Sequence, residues 1–365
     1  MNDLQTFIAK LIDNQHLTEA EAEAAMRIIM TGEATPAQIG GYLVALRMKG
    51  ETVAEITGSA RAMRAHAAKL TVTFEGAVLD TAGTGGDGAH TFNISTAAAF
   101  VIAGAGRKVA KHGNRAASSK CGSADVLAAL GVSLDLTPEQ VGRCIDEVGI
   151  GFLFAPKFHP AMKHAVGPRR ELGQRTIFNV LGPLTNPASA THQIIGVYDP
   201  GLTQILAEVL GALGSHAALV FHGHGNLDEL TTAGPNRISH LCEGSVRTFD
   251  FDPADPDPAY GPALPLRRAA SGDLRGGDPA DNARMLRDLL AGRDASPRRD
   301  VVLLNAAAAL AVDRCDLADN PHEVLGAALV EAERSLASGA ALTRLDGLIA
   351  ISQRFVQESM ALVQE

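Results

Sequence analysis

Long hydrophobic runs are absent from this sequence of 365 residues. Nowhere do about 18 uncharged apolar residues follow one another, so a membrane-spanning helix is not expected. Charged residues make up 20% and apolar residues 46% of the chain, which excludes an acid-rich disordered protein. The N-terminal segment mixes charges into a helical pattern, and no secretory signal is visible in it. We therefore expect a cytoplasmic protein of roughly two domains.

Cysteine is scarce and widely spaced. The four cysteines are Cys121, Cys144, Cys242 and Cys315, and no two of them form a CxxC pair. This spacing argues against a structural zinc site and against a disulfide framework. We therefore expect four free thiols.

An excess of positive charge is also missing, because the formal net charge is -9. Proteins that bind the phosphate backbone of nucleic acids are usually basic, so this class is disfavoured. Two segments differ from the whole: residues 101–120 hold five cations and no acid, and residues 157–175 hold five cations and only Glu171. Two basic segments in an acidic protein predict a compact anionic ligand.

The pattern of apolar residues predicts two structural units. The first 67 residues read as four helices, with capping boxes at Thr18 to Glu21 and Thr52 to Glu55 and a Thr35-Pro36 start. From residue 77, short apolar runs alternate with helices, which is typical of a parallel sheet. We predict an α/β fold class: a small all-helical domain (1–70, completed by part of 160–190) and a larger α/β domain with a mainly parallel sheet (71–365). Residues 253–282 are predicted to be loop, with helices from 283 onward.

The glycine-rich segment from Asp80 to Thr96 joins a predicted strand to a predicted helix. Its glycines leave backbone N–H groups open to a phosphate, and the start of the helix favours anions. Gly83, Gly85 and Gly88 also match GxGxxG, but the ribose-binding acid expected about 20 residues later is missing. A phosphate site is favoured over a dinucleotide site and over a purely structural turn.

A second polar segment, Lys111 to Asp125, follows the next predicted strand and ends at a helix start. Cations, an amide and hydroxyls converge there at the carboxyl end of a strand, where open α/β sheets bind ligands. The alternative is a solvated loop with an N-cap at Ser123. The absence of any nearby acid before Asp125 favours an anion site.

Two further candidates lie later in the chain. Adjacent carboxylates at Asp228 and Glu229 suit Mg²⁺, although an exposed acidic pair in a turn is the alternative. Arg169, Arg170 and Arg175 offer guanidinium groups that bind a carboxylate or phosphate through two hydrogen bonds. One of these arginines is therefore a candidate substrate anchor.

The segments GTGGD, NIST, KHGNRAASSKCGSAD, FAPKFHPAMKH, RTIFNVLGPLTNP and LDEL occur in an order that resembles the anthranilate phosphoribosyltransferases of tryptophan biosynthesis. The resemblance runs from the N-terminal helices to the last one. It implies a homodimeric, Mg²⁺-dependent transferase that moves the phosphoribosyl group of 5-phosphoribosyl 1-diphosphate to anthranilate. It also implies an active site between the two domains.

The resemblance also implies site residues, matched motif by motif. The donor and its surroundings are expected to contact Gly83, Gly86, Asp87, Thr91, Asn93, Ile94, Ser95, Thr96, Lys111, His112, Gly113, Arg115, Ala116, Ala117, Ser118, Ser119 and Ser123. Ser95, Asp228 and Glu229 match the magnesium positions. Gly83, Asn114 and Arg169 match the anthranilate contacts, with His112 as a possible catalytic helper beside Asn114 and Arg169. Arg169 is preferred to Arg170 because of its distance from Leu172-Gly173.

Two rival functions remain open at this stage. One is a look-alike that has lost transferase activity and binds nucleic acid through its basic cleft, which the net charge disfavours. The other is a pyrimidine nucleoside phosphorylase, a related class with the same general architecture. The KHGN segment and the arginine segment that follows it are not expected in that class.

Overall fold

A computed structural model describes residues 3–70, 72–73, 76–116, 119–256, 261–270 and 272–364. Its N-terminal part is the predicted set of four helices, α1 (Asp3–Ile12), α2 (Glu19–Met30), α3 (Pro36–Lys49) and α4 (Val53–Ala65). The side chains of Thr18, Thr35 and Thr52 cap α2, α3 and α4, and each cap is a complete capping box. The prediction of an all-helical N-terminal region is confirmed.

Helices α9 (Lys163–Leu172) and α10 (Phe178–Leu184), from the middle of the chain, pack on this bundle. The short helix α8 (Ala155–Phe158) and a 3₁₀ turn at Pro160–Met162 precede α9. Helix α9 contacts α2 and α3, and α10 contacts α4. Ala165 and Leu181 share one apolar core with Ile29 and Leu43. This packing supports the proposal that part of 160–190 completes the helical domain.

The second part is built on a seven-stranded sheet. The strands are β1 (Val78–Gly83), β2 (Lys108–Gly113), β3 (Ile150–Phe154), β4 (His192–Gly196), β5 (Ala217–His222), β6 (Asn236–Cys242) and β7 (Ser245–Phe251). Their order is β3-β2-β1-β4-β5-β6-β7, with parallel pairing from β3 to β5 and antiparallel pairing beyond. The predicted mainly parallel sheet is confirmed. The hairpin of β6 and β7 was not predicted.

Helices cover the sheet. They are α5 (Ile94–Gly104), α6 (Ser123–Ala129), α7 (Pro138–Val148), α11 (Leu202–Ala212), α12 (Pro279–Leu290), α13 (Pro297–Leu310), α14 (Pro321–Ala337) and α15 (Ala340–Gln364). Helix α5 is buried along most of its length because α13 and α15 pack over it. The predicted loop at 253–282 is largely loop among its described residues. However, α12 begins at Pro279, inside the predicted range.

Two of the four cysteines correct the expectation of free thiols. Cys242 and Cys315 form a disulfide, with their Cα atoms 5.5 Å apart. Sequence spacing could not reveal this pair, because 73 residues separate its members and only the fold brings the end of β6 to the segment after α13. A hydrogen bond of 2.8 Å from His240 to the carbonyl of Val312 joins the same two segments. Cys121 and Cys144 are free and buried, as expected.

The strand order defines where a ligand would bind. The chain runs outward from β1 to β2 and β3, then returns to place β4 on the other side of β1. A crevice therefore opens at the carboxyl ends of β1 and β4, which is the usual ligand position in open α/β sheets. Among the described residues, no helix is long and apolar enough to cross a membrane.

Candidate active site

The glycine-rich segment leaves the carboxyl end of β1 at this crevice. Gly85, Gly86 and Gly88 have φ values of 66°, 78° and 74°, which lie in a left-handed backbone region that residues other than glycine rarely adopt. The segment leads directly into α5 at Ile94. Strand, left-handed turn and helix start are therefore arranged as the sequence predicted for a phosphate site.

The acidic pair after β5 lies against this glycine loop. Asp228 Oδ2 accepts the N–H of Gly85 at 2.7 Å, and Glu229 Oε1 accepts the N–H of Ser95 at 3.0 Å. Glu229 is buried. The alternative of an exposed acidic turn is therefore wrong, and the structure brings Ser95, Asp228 and Glu229 together.

Three glycines allow the pair to approach so closely. A Cβ at Gly83 would lie 2.5 Å from Asp228 Oδ2, and one at Gly196 would collide with the Asp228 carbonyl oxygen. A Cβ at Gly223 would likewise collide with the carbonyl oxygen of Glu229. The carboxylates thus sit directly over the ends of β1 and β4.

Three neighbouring carboxylates, Asp87, Asp228 and Glu229, form an acidic group whose electrostatics favour a bound cation. Burial, followed by the charge of Asp87, raises the pKa of Asp228 to about 7. Burial, followed by the charge of Asp228, raises the pKa of Glu229 to about 8. Asp87 Oδ2 is buried and has no hydrogen-bond partner among the described residues. A divalent cation would offset the repulsion between these carboxylates and give the buried Asp87 oxygen a partner.

The acidic group alone does not complete a metal site. Within the described ranges, no three His, Cys, Asp or Glu side chains are grouped closely enough to hold a metal ion. Mg²⁺ in phosphate-transfer sites is usually held by one or two carboxylates together with substrate phosphates and water. The residues present fit that shared type of coordination.

Lys111 lies beneath the same group. Its ammonium is buried and donates to the carbonyl of Thr81 at 2.6 Å, to the Thr81 hydroxyl at 3.2 Å and to Ser95 Oγ at 3.4 Å. These three contacts match the three N–H groups of an ammonium. Burial lowers its pKa, while the charges of Asp80 and Glu229 oppose that shift. The geometry therefore ties Lys111 to Ser95, and its contact with a donor stays a prediction.

The segment after β2 is anchored at several points. The carbonyl of Asn114 accepts from Ala124 N at 3.1 Å and from Ser123 Oγ at 3.3 Å. Arg115 and Ser119 are exposed. Ala117 and Ser118, both predicted donor contacts, lie outside the described residues.

The other predicted donor residues lie around the start of α5. The amide of Asn93 donates to the Cys121 carbonyl at 3.2 Å and accepts from Asn282 at 3.0 Å. The backbone of Thr91 forms an isolated antiparallel β-bridge with that of Arg275. Ile94 and Thr96 are buried, and Thr96 Oγ1 has no hydrogen-bond partner among the described residues. Gly113 packs so closely on Ser123 that a Cβ would strike its hydroxyl.

Two of the candidate acceptor-site residues, Arg169 and His112, contact α10. Arg169 is half-buried, and its guanidinium lies 5.0 Å from the centre of the Phe178 ring. His112 Nδ1 is 3.2 Å from the carbonyl of Gly182, and its ring centre is 5.1 Å from that of His159. Burial lowers the pKa of His112 to about 3 and that of His159 to about 4, so both rings are neutral near pH 7.

Sequence reasoning named Arg175 as a candidate substrate anchor but did not predict its contact with the glycine loop, and it assigned no role to Asp125. Arg175 donates to the carbonyl of Gly86 and lies 4.2 Å from the centre of the Tyr198 ring, so it covers the glycine loop. Asp125 binds the segment after β2 from the start of α6. For Asp125 a signal existed, because an acid three residues after Gly122 at a helix start is a capping position.

Comparison with known families defines the class first. Residues 5–67 match the helical bundle domain of a glycosyl transferase family, and residues 75–342 match the a/b domain of that family. The two matches follow the two parts of the fold and together cover most of the chain.

Individual relatives narrow the class. Anthranilate phosphoribosyltransferase of Moorella thermoacetica is 56% identical over 95% of this chain and 98% of its own length. The crystal structure of the Thermus thermophilus enzyme is 44% identical, with a TM-score of 0.85 over 95% of this chain and 99% of that one. The chain belongs to the anthranilate phosphoribosyltransferase family.

Two solved structures of the Saccharomyces cerevisiae enzyme carry ligands. One, in complex with PRPP and Mg, is 29% identical with a TM-score of 0.84. The other, in complex with 4-fluoroanthranilate, is 27% identical with a TM-score of 0.83. Each alignment covers 96% of this chain and 98% of the yeast chain.

Proposed function

We propose that this protein transfers the phosphoribosyl group of 5-phosphoribosyl 1-diphosphate to anthranilate, giving N-(5-phosphoribosyl)anthranilate and pyrophosphate in tryptophan biosynthesis. The observation that carries the proposal is the acidic pair bound to the glycine loop: Asp228 on Gly85 N and Glu229 on Ser95 N. This arrangement places potential metal ligands beside the turn that is suited to a diphosphate. The family membership supports the identity of both substrates.

We assign the donor diphosphate to the crevice between the glycine loop and the segment after β2. The diphosphate would contact backbone N–H groups of the loop and the start of α5, with Arg115 and Ser119 facing it from the other side. Ser95, Asp228 and Glu229 would hold Mg²⁺, which when bound supplies positive charge to the leaving diphosphate. The raised pKa values of Asp228 and Glu229 support this metal assignment.

We assign the acceptor to the side of α10 that Arg169 contacts at Phe178 and His112 contacts at Gly182. The Arg169 guanidinium would pair with the anthranilate carboxylate, because its planar N–H groups match a carboxylate. Gly83 and Asn114 would complete the acceptor contacts. Holding the aromatic amine in line with the ribose carbon that loses pyrophosphate lowers the barrier through orientation.

The chain's own residues would act through charge and position. Bond breaking puts positive charge on the ribose and negative charge on the leaving group, so oriented N–H groups and Arg115 would stabilise the latter. An aryl amine attacks while neutral and loses its proton late. His112 is a weak base in this setting because burial lowers its pKa to about 3, so we assign it a packing and orienting role.

Fluorescence-monitored consumption of anthranilate tests the proposal. We expect consumption only when both 5-phosphoribosyl 1-diphosphate and Mg²⁺ are present. Parallel samples measure phosphorolysis of uridine and thymidine, and binding to random DNA across a salt titration. Phosphorolysis without anthranilate consumption would indicate a nucleoside phosphorylase. Tight, steeply salt-dependent DNA binding without turnover would indicate a nucleic-acid-binding look-alike.

We also propose a cytoplasmic homodimer formed through the helical domains. Ile12 of α1 and Met48 of α3 are 71% and 82% exposed, and these two helices contact each other. Where such side chains form one contiguous patch, they mark a contact surface. Light scattering in solution measures the mass that tests this assembly.

A further inference from the structure

Asp125, on the first turn of α6, binds both ends of the segment that follows β2. Its Oδ2 accepts the N–H of Ala116 at 2.9 Å and the N–H of Gly122 at 2.9 Å. Its Oδ1 accepts from Arg115 Nη1, also at 2.9 Å. One carboxylate therefore joins the backbone of Ala116 to that of Gly122 and holds the Arg115 guanidinium beside them.

These contacts exceed what a helix cap requires. A capping residue at this position needs only the N–H of Gly122, the residue that precedes α6. The additional bonds to Ala116 and Arg115 reach residues that belong to the β2 side of the loop. The carboxylate thus links the end of β2 to the start of α6.

The two charged side chains of this link differ in their exposure to solvent. The Asp125 side chain is 16% exposed, whereas that of Arg115 is 58% exposed. Nη1 of the guanidinium is bound to Asp125, and among the described residues its other N–H groups have no hydrogen-bond partner, so they can bind an anion. Burial raises the pKa of Asp125, but the hydrogen bonds from Ala116, Gly122 and Arg115 together with the charge of Arg115 outweigh that effect, so its pKa is lowered and it stays ionised at neutral pH.

We propose that Asp125 is a positioning residue for the donor: it holds Ala116, near the end of β2, against the start of α6 and orients Arg115 toward the diphosphate of the substrate. The proposal rests on the proposed function, since it assigns the anion to the phosphoribosyl donor. Asp125 itself does not contact the donor, because a carboxylate would repel a diphosphate. Its effect passes through the backbone N–H groups of Ala116 and Gly122 and through the Arg115 side chain.

Four variants separate these effects: Asp125→Ala, Asp125→Asn, Arg115→Ala and the double variant Asp125→Asn with Arg115→Ala. Asp125→Asn keeps one oxygen for the N–H groups of Ala116 and Gly122 but turns its NH₂ toward Arg115. Asp294→Ala is the matched control, because Asp294 also binds a backbone N–H, that of Ser296, and an arginine, Arg298. Calorimetry with 5-phosphoribosyl 1-diphosphate and Mg²⁺ gives donor affinity without requiring turnover.

We expect Asp125→Ala to weaken donor binding by about tenfold to a hundredfold, since charge-assisted hydrogen bonds are lost. Asp125→Asn should weaken it less, and the double variant should be no weaker than Arg115→Ala alone. The anthranilate KM at saturating donor should change less than the donor affinity. Asp294→Ala should bind donor like the wild type.

Two results would overturn the proposal while leaving the proposed function intact. One is donor binding within about twofold of wild type in both folded Asp125 variants, which is less than a single neutral hydrogen bond contributes. The other is an equal loss of affinity for donor and anthranilate, which would indicate a general structural role. If Asp125→Ala does not fold, Asp125→Asn and the double variant still decide the matter. Failure of wild-type turnover would instead contradict the proposed function.

Discussion

At the scale of single residues, two adjacent arginines of α9 lie in different surroundings. Arg169 is half-buried over the ring of Phe178, and burial lowers its pKa, whereas Arg170 is exposed. A partly desolvated guanidinium gains more from a carboxylate partner than one in water does. The structure therefore supports Arg169 as the anchor for the acceptor.

Arg169→Ala should raise the anthranilate KM by roughly tenfold to a hundredfold, because a charge-assisted hydrogen bond contributes about 1.5 to 3 kcal/mol. The donor KM should change far less. Steady-state kinetics with each substrate varied measures both, and Arg170→Ala is the internal control. A raised anthranilate KM in Arg170→Ala alone would identify Arg170 as the carboxylate anchor. An equal rise of the donor KM in Arg169→Ala would indicate that Arg169 binds a phosphate of the donor.

The paired rings of His112 and His159 make stability depend on pH. Their pKa values are lowered to about 3 and about 4, so below pH 6.5 the unfolded chain binds protons that the folded chain does not. The contribution of these two rings to stability is therefore complete above pH 6.5 and falls as the pH drops toward 4. Removing one of these histidines should reduce the slope by up to about 1.4 kcal/mol per pH unit.

Urea unfolding of His159→Gln between pH 4 and 7 measures this slope. The wild type, unfolded in parallel at each pH, is the reference for this comparison. An unchanged slope in a folded His159→Gln variant would mean that His159 titrates normally in the native protein.

At the scale of elements, the sequence indicated most helices and the five parallel strands, because capping boxes and apolar runs are local signals. The hairpin of β6 and β7 was not predicted. Glu243 and Gly244 at its turn have φ values of 47° and 76°, and a Glu-Gly pair is a weaker signal for such a turn than Asn-Gly. The contact of Asp228 with Gly85 was also beyond sequence reasoning. It joins residues 143 positions apart, and only the order of β1, β4 and β5 brings them together.

Gly196 at the end of β4 should control the position of the acidic pair. A Cβ there would collide with the Asp228 carbonyl and push both carboxylates away from the glycine loop. Gly196→Ala should therefore raise the Mg²⁺ concentration needed for half-maximal activity by about tenfold or more, the usual effect of disturbing groups that support metal ligands.

A Mg²⁺ titration of turnover checks this, with circular dichroism to verify folding. Gly40→Ala is the control, since a Cβ at Gly40 on α3 meets no atom within 4 Å. A folded Gly196→Ala variant with a wild-type Mg²⁺ titration would show that the position of the pair does not govern metal binding.

At the scale of the whole molecule, segments from distant parts of the chain meet at one edge of the sheet. The glycine loop, the start of α5 and the acidic pair form one wall, and Arg169 and His112 face α10. A donor that contacts the first group and an acceptor that contacts the second would meet between the helical and α/β parts. Reaction of the donor with the acceptor at this position would give N-(5-phosphoribosyl)anthranilate.

The most direct test quantifies anthranilate consumed, N-(5-phosphoribosyl)anthranilate formed and pyrophosphate released in one reaction of the purified protein. The wild type with Mg²⁺ should give equal amounts of all three, and the double variant Asp228→Asn with Glu229→Gln should give none while remaining folded. Pyrophosphate release without the anthranilate product, or undiminished product formation by the double variant, would contradict the account.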